Sequence, residues 1–350
     1  MKKMLAMLLA LVMVLSLAAC ASTTPATDTT AASDTETPAA ETPVSETPVS
    51  TEETPAAEGK TYTVGVCQLV QHEALDAATQ GFVDALTEEL GDAVTVDVQN
   101  ASGDSVNCGT IVNGFVSRGV DLIMANATPA LTAAVSATAD IPILGTSITA
   151  YGVALDIDDF NGTVGGNVSG TSDLADLQAQ AQMILDWFPA TKNVGLLFCS
   201  AEPNSRYQID EVRKALEAQG VTCEEFAFTD SNDVSSVTQK AADFSDVVYI
   251  PTDNTAASNT EAIANVLIPA GVPAICGEEG LCRGCGVATL SISYYDLGVT
   301  TGKMAAKILK GEANISEMPV EYTDATPKYN ASICDQLGIT PLDGYEAIEG

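Results

Sequence analysis

The segment DVVYIPTDNT, residues 246–255, joins a short apolar strand to a cluster of polar side chains. Val247 to Ile250 are β-branched or aromatic, as strands favour, and Pro251 ends the run. An aspartate, an asparagine and two threonines follow at once. The segment DLIMANATPA, residues 121–130, has the same plan of aspartate, apolar run and polar turn. The chain therefore contains one structural unit twice.

The repeat extends outward from these two segments. In residues 62–147 and again in residues 192–279, short apolar strands alternate with helices that carry one apolar face. Each run opens on a strand with a Val-Gly pair, and each ends on a strand that starts with an apolar residue and a proline. Such alternation predicts βαβ units with right-handed crossovers. The predicted fold class is α/β, with two similar Rossmann-like lobes built on parallel sheets.

The N-terminal residues differ in composition from the rest of the chain. Residues 1–19 have a basic start and an apolar stretch shorter than the roughly 20 residues of a membrane span, so they predict a secretory signal peptide. The end, LAAC at 17–20, resembles the lipobox of bacterial lipoproteins, in which Cys20 becomes the lipid-modified N-terminus; an ordinary signal peptide is the alternative. Residues 20–59 are rich in Thr, Pro, Glu and Ala, which predicts a disordered tether.

Charge and motif content argue against several classes of function. The formal charge of −33 leaves no basic patch for nucleic acid. His72 is the only histidine, and no nucleophile triad, zinc-protease, dinucleotide or phosphate-loop pattern surrounds it. Cys282 and Cys285 form a C-x-x-C without a second pair at zinc spacing, so a local disulfide or two free thiols are expected. We therefore expect a protein without enzymatic activity, cofactor or metal.

The polar turns after the repeated strands predict a binding site. In open parallel sheets, ligands lie beyond the carboxyl ends of the strands. PTDNT (251–255) lies at such an end in the second lobe, and NATPA (126–130) lies at the equivalent end in the first. If the lobes face each other, both turns meet one ligand. The alternative is that Asp253 or Asn254 only caps a helix.

Several longer stretches resemble one known family. They are QHEALDAATQGF (71–82), NASGD (100–104), DLIMANATPAL (121–131), NVSGTSD (167–173), AEPNSRYQ (201–208), PTDNT (251–255) and ISYYDLGVTTGKMAAKILKGE (292–312). Together they resemble the extracytoplasmic substrate-binding proteins of ABC importers, which have the periplasmic-binding protein type I fold, and more narrowly the tryptophan/tyrosine-type family. This chain departs from that family at Gln71 and Glu73, where Glu and Pro are usual.

The resemblance implies an organisation and a function. Residues 60–168 with about 295–323 would form lobe 1, residues 169–294 with about 324–350 would form lobe 2, and the crossings between them would act as a hinge. The protein would bind a free amino acid, most simply an aromatic one, and deliver it to an ABC permease and its ATPase. It would be a monomer on the outer face of the cytoplasmic membrane, attached only through a lipid anchor. The alternative function is a surface adhesin or sensor that does not transport.

An amino-acid ligand needs three kinds of partner. Asp253 is the first candidate for the α-ammonium, with Asn254 beside it. Helix starts and hydroxyl groups suit the α-carboxylate, and tyrosines suit an aromatic side chain. The remaining candidates are Gln68, His72 and Glu73 after the first strand; Thr128, Pro129, Thr146, Ser147 and Thr149 in lobe 1; Glu202, Asn204, Ser205 and Glu278 in lobe 2; and Tyr151, Tyr207 and Tyr294 as aromatic walls.

Overall fold

The computed structural model describes residues 60–349. The predicted signal peptide, the lipidation site at Cys20 and the predicted tether lie outside the described residues. Among residues 60–349 no helix combines the length and the apolar character needed to cross a membrane.

Strands and helices alternate through the first part of the described chain. In chain order they are β1 (Tyr62–Gln68), α1 (Glu73–Leu90), β2 (Val94–Asn100), α2 (Ser105–Arg118), β3 (Leu122–Asn126), α3 (Thr128–Ala137), β4 (Ile143–Ile148), the single turn α4 (Tyr151–Ala154) and β5 (Val168–Ser172). A short 3₁₀ turn at Gly91–Ala93 links α1 to β2.

The second part repeats the plan and then returns to the first. Its elements are α5 (Leu177–Trp187), β6 (Asn193–Cys199), α6 (Pro203–Glu217), β7 (Thr222–Phe228), α7 (Val234–Phe244), β8 (Val247–Ile250), α8 (Asn254–Ala257), α9 (Thr260–Ala270), β9 (Ala274–Cys276), α10 (Glu279–Cys285) and β10 (Ala288–Ser291). The C-terminal elements are α11 (Tyr294–Lys310), a 3₁₀ turn (Ile315–Glu317), β11 (Glu321–Tyr322), β12 (Thr326–Tyr329), α12 (Ala331–Leu337) and β13 (Glu346–Ala347).

Two sheets with the same strand order define two lobes. The first sheet runs β2-β1-β3-β4-β5-β11, and the second runs β7-β6-β8-β9-β10-β12-β13. All pairings between these strands are parallel except that of β10 with β12. The predicted α/β class and internal repeat are confirmed. Because both sheets have the same order, the carboxyl ends of their corresponding strands can face one ligand.

The chain passes between the sheets three times. It leaves the first sheet after β5, returns between β10 and α11, and leaves again between β11 and β12. Helix α11 therefore belongs to the first lobe, where it packs on α1. The contact is backbone to backbone, since a Cβ on Gly298 would come within 2.0 Å of the Ala78 carbonyl oxygen. This packing fixes the N-terminus of α1 at the edge that faces the second lobe.

Local sequence explains where most helices begin and end. Asp104, Asp176 and Ser293 precede α2, α5 and α11, and each side chain accepts a hydrogen bond from a backbone N–H group of the first turn. Gly271 and Gly311 follow α9 and α11 in the left-handed conformation, which glycine adopts at little cost. These signals place the loops, and hence the polar residues, at the two ends of each sheet.

The start of α3 differs by one residue from the prediction. The Thr-Pro pair at residues 128–129 predicts Thr128 at the N-cap and Pro129 as the first helical residue. Instead Ala127 is the N-cap, with φ 90°, and Thr128 begins the helix. A non-glycine residue rarely adopts this φ, and such strain concentrates at functional sites. Ala127 lies at the carboxyl end of β3 and is fully buried in the core of the first lobe.

Candidate functional site

A small cavity lies between the lobes at the carboxyl ends of the strands. Its walls include residues that directly end or follow β4, β5, β8 and β9, together with the first residues of α1, α6, α8 and α11. The lining residues are His72, Leu75, Ser147, Thr149, Asp173, Asn204, Thr252, Asp253, Asn254, Ala257, Glu278 and Tyr294. Of the two polar turns singled out in the sequence, PTDNT lines this cavity, whereas NATPA contributes no lining residue to it.

The cavity is nearly closed and adjoins two larger chambers. Its volume is about 10 Å³, which is room for a single water molecule. A chamber of about 300 Å³ shares His72, Ala257 and Glu278 with it, and another of about 450 Å³ shares Asn254. A whole amino acid enters this inner cavity only when the lobes separate. In the closed form the cavity matches one small polar group, and the chambers leave room for the rest of a ligand.

Among the acids that line the cavity, Asp173 has a buried carboxylate oxygen without a hydrogen-bond partner. Asp173 is not among the predicted site residues. It directly follows β5, is 5% exposed and receives a hydrogen bond at Oδ2 from the Tyr294 hydroxyl at 2.9 Å. Its Oδ1 has no hydrogen-bond partner among the described residues. Burial raises the pKa of this carboxyl, and the hydroxyls of Tyr294 and of nearby Thr149, which lies outside hydrogen-bond geometry, lower it in part.

Asp253 and Glu278 bring two further carboxylates to the cavity, and both also cap helices. Asp253 accepts hydrogen bonds from the Cys199 N–H at 2.6 Å, the Ser205 hydroxyl at 2.8 Å and the Ala256 N–H at 2.8 Å. Glu278 accepts from the first N–H groups of α10. Burial raises the pKa of Asp253 to about 8 and that of Glu278 to about 7. Asp253 therefore caps α8 and also lines the cavity, so capping is not its only contact.

No basic side chain balances these acids. The residues that line the cavity include no lysine or arginine, and burial lowers the pKa of His72, which favours its neutral form. Three buried carboxyl groups with raised pKa values, one of which has an unpartnered oxygen, would ionise more readily beside a cation. The described residues contain no group of three or more His, Cys, Asp or Glu that could hold a metal ion. An ammonium group, which offers three N–H donors and one positive charge, fits the arrangement.

Two more unpartnered atoms face the same space. Ser147 Oγ and Asn204 Oδ1 are buried without a hydrogen-bond partner among the described residues. Ser147 also has a backbone φ of 55°, which non-glycine residues rarely adopt. Unsatisfied buried polar atoms cost about 1–3 kcal/mol each. Their presence in the wall, together with the strained backbone, indicates a site completed by a ligand.

The cavity is sealed by contacts from the first lobe to the second. His72 Nε2 lies 3.2 Å from Asn254 Oδ1. Since that oxygen only accepts, Nε2 carries the proton. Glu73, the next residue, lies 2.9 Å from the Arg283 guanidinium and lines the smaller chamber rather than the cavity. The two lobes are therefore in direct contact across the cleft, away from the hinge.

Several predicted site residues are used inside their own lobe. Gln68 donates to Asp76 and accepts from Thr79. Glu202 accepts four hydrogen bonds from the backbone and side chains of Asn254 and Thr255. Gln68 therefore holds residues of α1 in place, and Glu202 holds Asn254, which lines the cavity. Thr128, Thr146 and Ser205 are buried but do not line the cavity, and Pro129 and Glu202 line the larger chamber.

Two of the three tyrosines predicted as aromatic walls pack inside their own lobes. Tyr151 is 1% exposed in the core of the first lobe, stacks on Phe160, and donates its hydroxyl to the Thr171 carbonyl. Tyr207 packs against the core of the second lobe. Neither lines the cavity, because both lie in helices that turn these rings toward their own sheets. Tyr294 does line it.

We expect Tyr151→Phe to leave ligand affinity and selectivity unchanged. The variant loses one buried hydrogen bond, which should cost about 1 kcal/mol of unfolding free energy. Chemical denaturation and ligand titration of the same preparation measure the two effects. A change in the preference among aromatic amino acids would restore Tyr151 as a contact.

All eight cysteines in the described part of the chain are free thiols, including Cys282 and Cys285. Of the two alternatives for the C-x-x-C, the structure has the thiol form. Seven of the eight are buried, and Cys223 is half-buried. These thiols pack in the cores and take no part in the cavity wall.

Two similar α/β lobes that close over a polar cavity at their strand ends define a hinged, two-lobed ligand-binding protein. The chain belongs to the family of ABC transporter substrate-binding proteins, whose family model matches residues 63–344. The expected family is thereby confirmed.

Relatives and solved structures agree with this assignment. A "tyrosine-binding protein" of Clostridioides difficile is 32% identical over 283 residues, covering 79% of this chain and 81% of that protein. A Streptococcus pneumoniae domain in complex with L-Trp is 32% identical with a TM-score of 0.78, covering 83% of this chain and all of that one. A Vibrio cholerae domain is 30% identical with a TM-score of 0.79, over 83% of this chain and all of that one.

A third solved structure helps to define the conformation. It is the ligand-free, open form of a Clostridium difficile substrate-binding protein with adhesive properties, 33% identical over 83% of this chain and 99% of that one. Its TM-score is 0.63, against 0.78 for the L-Trp complex of nearly equal identity. Together with the contacts of His72 and Glu73, this difference identifies the present conformation as closed.

Proposed function

We propose that this protein is the extracytoplasmic, lipid-anchored component of an ABC importer and that it captures a free aromatic amino acid between its lobes. The observation that carries the proposal is a cavity lined by three buried carboxyl groups and by no lysine or arginine, with Asp173 Oδ1 unpartnered. Anchoring at Cys20, on the outer face of the cytoplasmic membrane, and delivery to a permease with its ATPase complete the proposal. The protein acts as a monomer.

Asp173 replaces Asp253 as the proposed first partner of the α-ammonium. Both are buried, but the oxygens of Asp253 already accept three hydrogen bonds from its own lobe, whereas one oxygen of Asp173 accepts none. Asn204 Oδ1 is a second free acceptor for the same group. Asp253 and Glu278 add negative potential without being the closest partners.

The α-carboxylate would lie at the start of α1. No side chain caps this helix, whose N-cap is His72, and Leu75 of its first turn lines the cavity. Free N–H groups at a helix N-terminus favour an anion. The unpartnered Ser147 hydroxyl supplies a further donor from the same lobe, and Asn204 lines the cavity from the second lobe. The ligand would thus touch both lobes, which is what stabilises a closed form.

An aromatic side chain is favoured by the relatives and by the space available. The related proteins include one in complex with L-Trp and one named tyrosine-binding. The chambers of about 300 and 450 Å³ fall within the range of roughly 300–1,000 Å³ typical of small-molecule pockets. Tyr294 offers a ring at the cavity wall.

A thermal-shift screen of the twenty amino acids, with nucleosides and sugars alongside, tests the proposal. At a concentration about 100 times its Kd, a ligand should add roughly 2.7 kcal/mol, which is about 5–10 °C for a domain of this size. We expect L-Trp, L-Tyr or L-Phe to give the largest shift. If no amino acid shifts the melting temperature and no bound amino acid is released on unfolding, the ligand class is wrong.

Adhesion is the second candidate function, because one related substrate-binding protein is described as having adhesive properties. Adhesion through an outer face would not need the cavity. The variant Asp173→Asn separates the two functions, since it should abolish amino-acid capture and leave adhesion of cells intact.

A further inference from the structure

The N-terminus of α1 reaches across the cleft with two neighbouring side chains. Glu73 Oε1 lies 2.9 Å from Arg283 Nη1 on α10, and His72 contacts Asn254 on α8. The helices α8 and α10 belong to the second lobe, whereas α1 is held in the first by α11. The Glu73–Arg283 ion pair therefore joins groups that are brought together only when the lobes close.

Arg283 is held in place on the second lobe by an ion-pair chain. Its Nη2 lies 2.8 Å from Glu279 Oε1, and Glu279 Oε2 lies 2.7 Å from Lys328 Nζ and 2.8 Å from the Ser291 hydroxyl. Glu279 is 19% exposed at its side chain, so the chain is partly shielded from water. Opening the lobes would break the contact to Glu73 but leave this chain intact, with the guanidinium already oriented.

We propose that Glu73 and Arg283 form an electrostatic latch that stabilises the closed form and thereby sets ligand affinity and release. Arg283 acts here as a positioning residue; because it and Glu73 also line the chamber of about 300 Å³, lobe closure of the ligand-free protein is the readout that reports the latch alone. The latch is coupled to the site because Glu279, its partner, directly follows Glu278, which lines the cavity. The effect on ligand release rests on the proposed function, whereas the effect on lobe closure does not.

The strength of the latch follows from its exposure. The side chains of Arg283 and Glu73 are 39% and 48% exposed, so the pair is screened by salt. A pair of this kind shifts the balance between open and closed forms by a small factor. Because the pair exists only in the closed form, the latch should slow ligand dissociation, and it should slow association only in proportion to the closed fraction of the ligand-free protein.

The test uses Glu73→Gln, Arg283→Gln and the double variant. Small-angle X-ray scattering of the ligand-free proteins measures lobe closure, and stopped-flow titration with L-Trp measures both rate constants. We expect each single variant to be more open and to dissociate about two- to fivefold faster. The double variant should be no more open and should dissociate no faster than Arg283→Gln. In 1 M salt, only the wild-type protein and the control should become more open and dissociate faster.

Arg118→Gln is the matched control, because Arg118 pairs with Asp97 at similar exposure but within the first lobe. It should change neither closure nor dissociation. The latch is refuted if Glu73→Gln leaves closure and dissociation as in the wild type, or if the two single effects simply add. If the wild type binds no amino acid, the proposed function fails, and the scattering comparison still decides whether the latch exists.

Discussion

The variant Asp173→Asn should lose amino-acid binding while its ligand-free form becomes more stable. Removing one partner of a buried charge pair costs about 2–5 kcal/mol, which is a loss of affinity of roughly thirtyfold or more. The same substitution removes a buried carboxylate whose Oδ1 has no partner, and the Tyr294 hydroxyl can still donate to the amide oxygen. Calorimetric titration and thermal unfolding measure the two opposite effects.

An exposed acid on the next helix provides the control. Asp186 lies on α5, accepts a hydrogen bond from Gln182 at 2.8 Å and is remote from the cavity. Asp186→Asn should change neither affinity nor melting temperature by a measurable amount. Wild-type affinity in Asp173→Asn would remove the proposed ammonium partner, and a lower melting temperature would mean that the carboxylate has a structural role.

Ligand affinity should rise steeply with pH between 6 and 8. The pKa of Glu278 is about 7 and that of Asp253 about 8, because both carboxyls are desolvated. An ammonium ligand favours the ionised carboxylates, so binding below these pKa values releases protons. One released proton corresponds to a tenfold change in affinity for each pH unit. We expect L-Trp to bind at least about tenfold more weakly at pH 6 than at pH 8.

The ligand-free protein should show the opposite trend. Unfolded carboxyls ionise near pH 4, whereas these two in the folded protein keep their protons until about pH 7 and 8. The folded state therefore binds more protons in this window, and its unfolding free energy falls as pH rises, by up to about 1.4 kcal/mol per pH unit for each group. The lowered pKa of His72 acts in the opposite direction only below about pH 6.5.

Thermal unfolding between pH 7 and 8, with and without L-Trp, measures both trends together. The shift produced by the ligand should grow with pH. Glu278→Gln should flatten the lower half of the affinity profile, because it removes the group with the pKa near 7. Equal affinities at pH 6 and pH 8 in the wild type would show that neither carboxyl changes its charge on binding.

The fold could be predicted because its signals are local and repeated. The apolar strands 247–250 and 122–126, each followed by a polar turn, appear with the same neighbours in both halves, and the two sheets have the same strand order. Alternating strand and helix periods restrict such a chain to parallel sheets. The cap of α3 was missed by one residue because Ala127 adopts a strained φ that its sequence does not signal.

The cavity brings together some of the predicted site residues, and the absence of the others from its wall has a common physical reason. The polar turn at Asp253 does reach the cavity, yet its carboxylate is occupied by Cys199 and Ser205, which lie far away in the chain. Asp173 lies in the NVSGTSD stretch at a crossing, where its position after a strand was an available signal. Whether a carboxylate is satisfied depends on long-range packing, which a local pattern does not encode. The same holds for the inward turn of the Tyr151 ring.

The contacts between the two lobes could not be predicted from local sequence patterns either. His72 meets Asn254 and Glu73 meets Arg283 across large sequence separations, and both contacts depend on the closure angle. The sequence indicates that a cleft exists, but the packing of two lobes decides which residues border it.

A crystal structure of residues 60–350 with bound L-Trp or L-Tyr tests the central claim most directly. We expect the α-nitrogen to lie within about 3 Å of Asp173 Oδ1, inside the space between the closed lobes. A ligand bound outside this space, or one whose amine faces solvent while Asp173 keeps an unpartnered oxygen, would contradict the account.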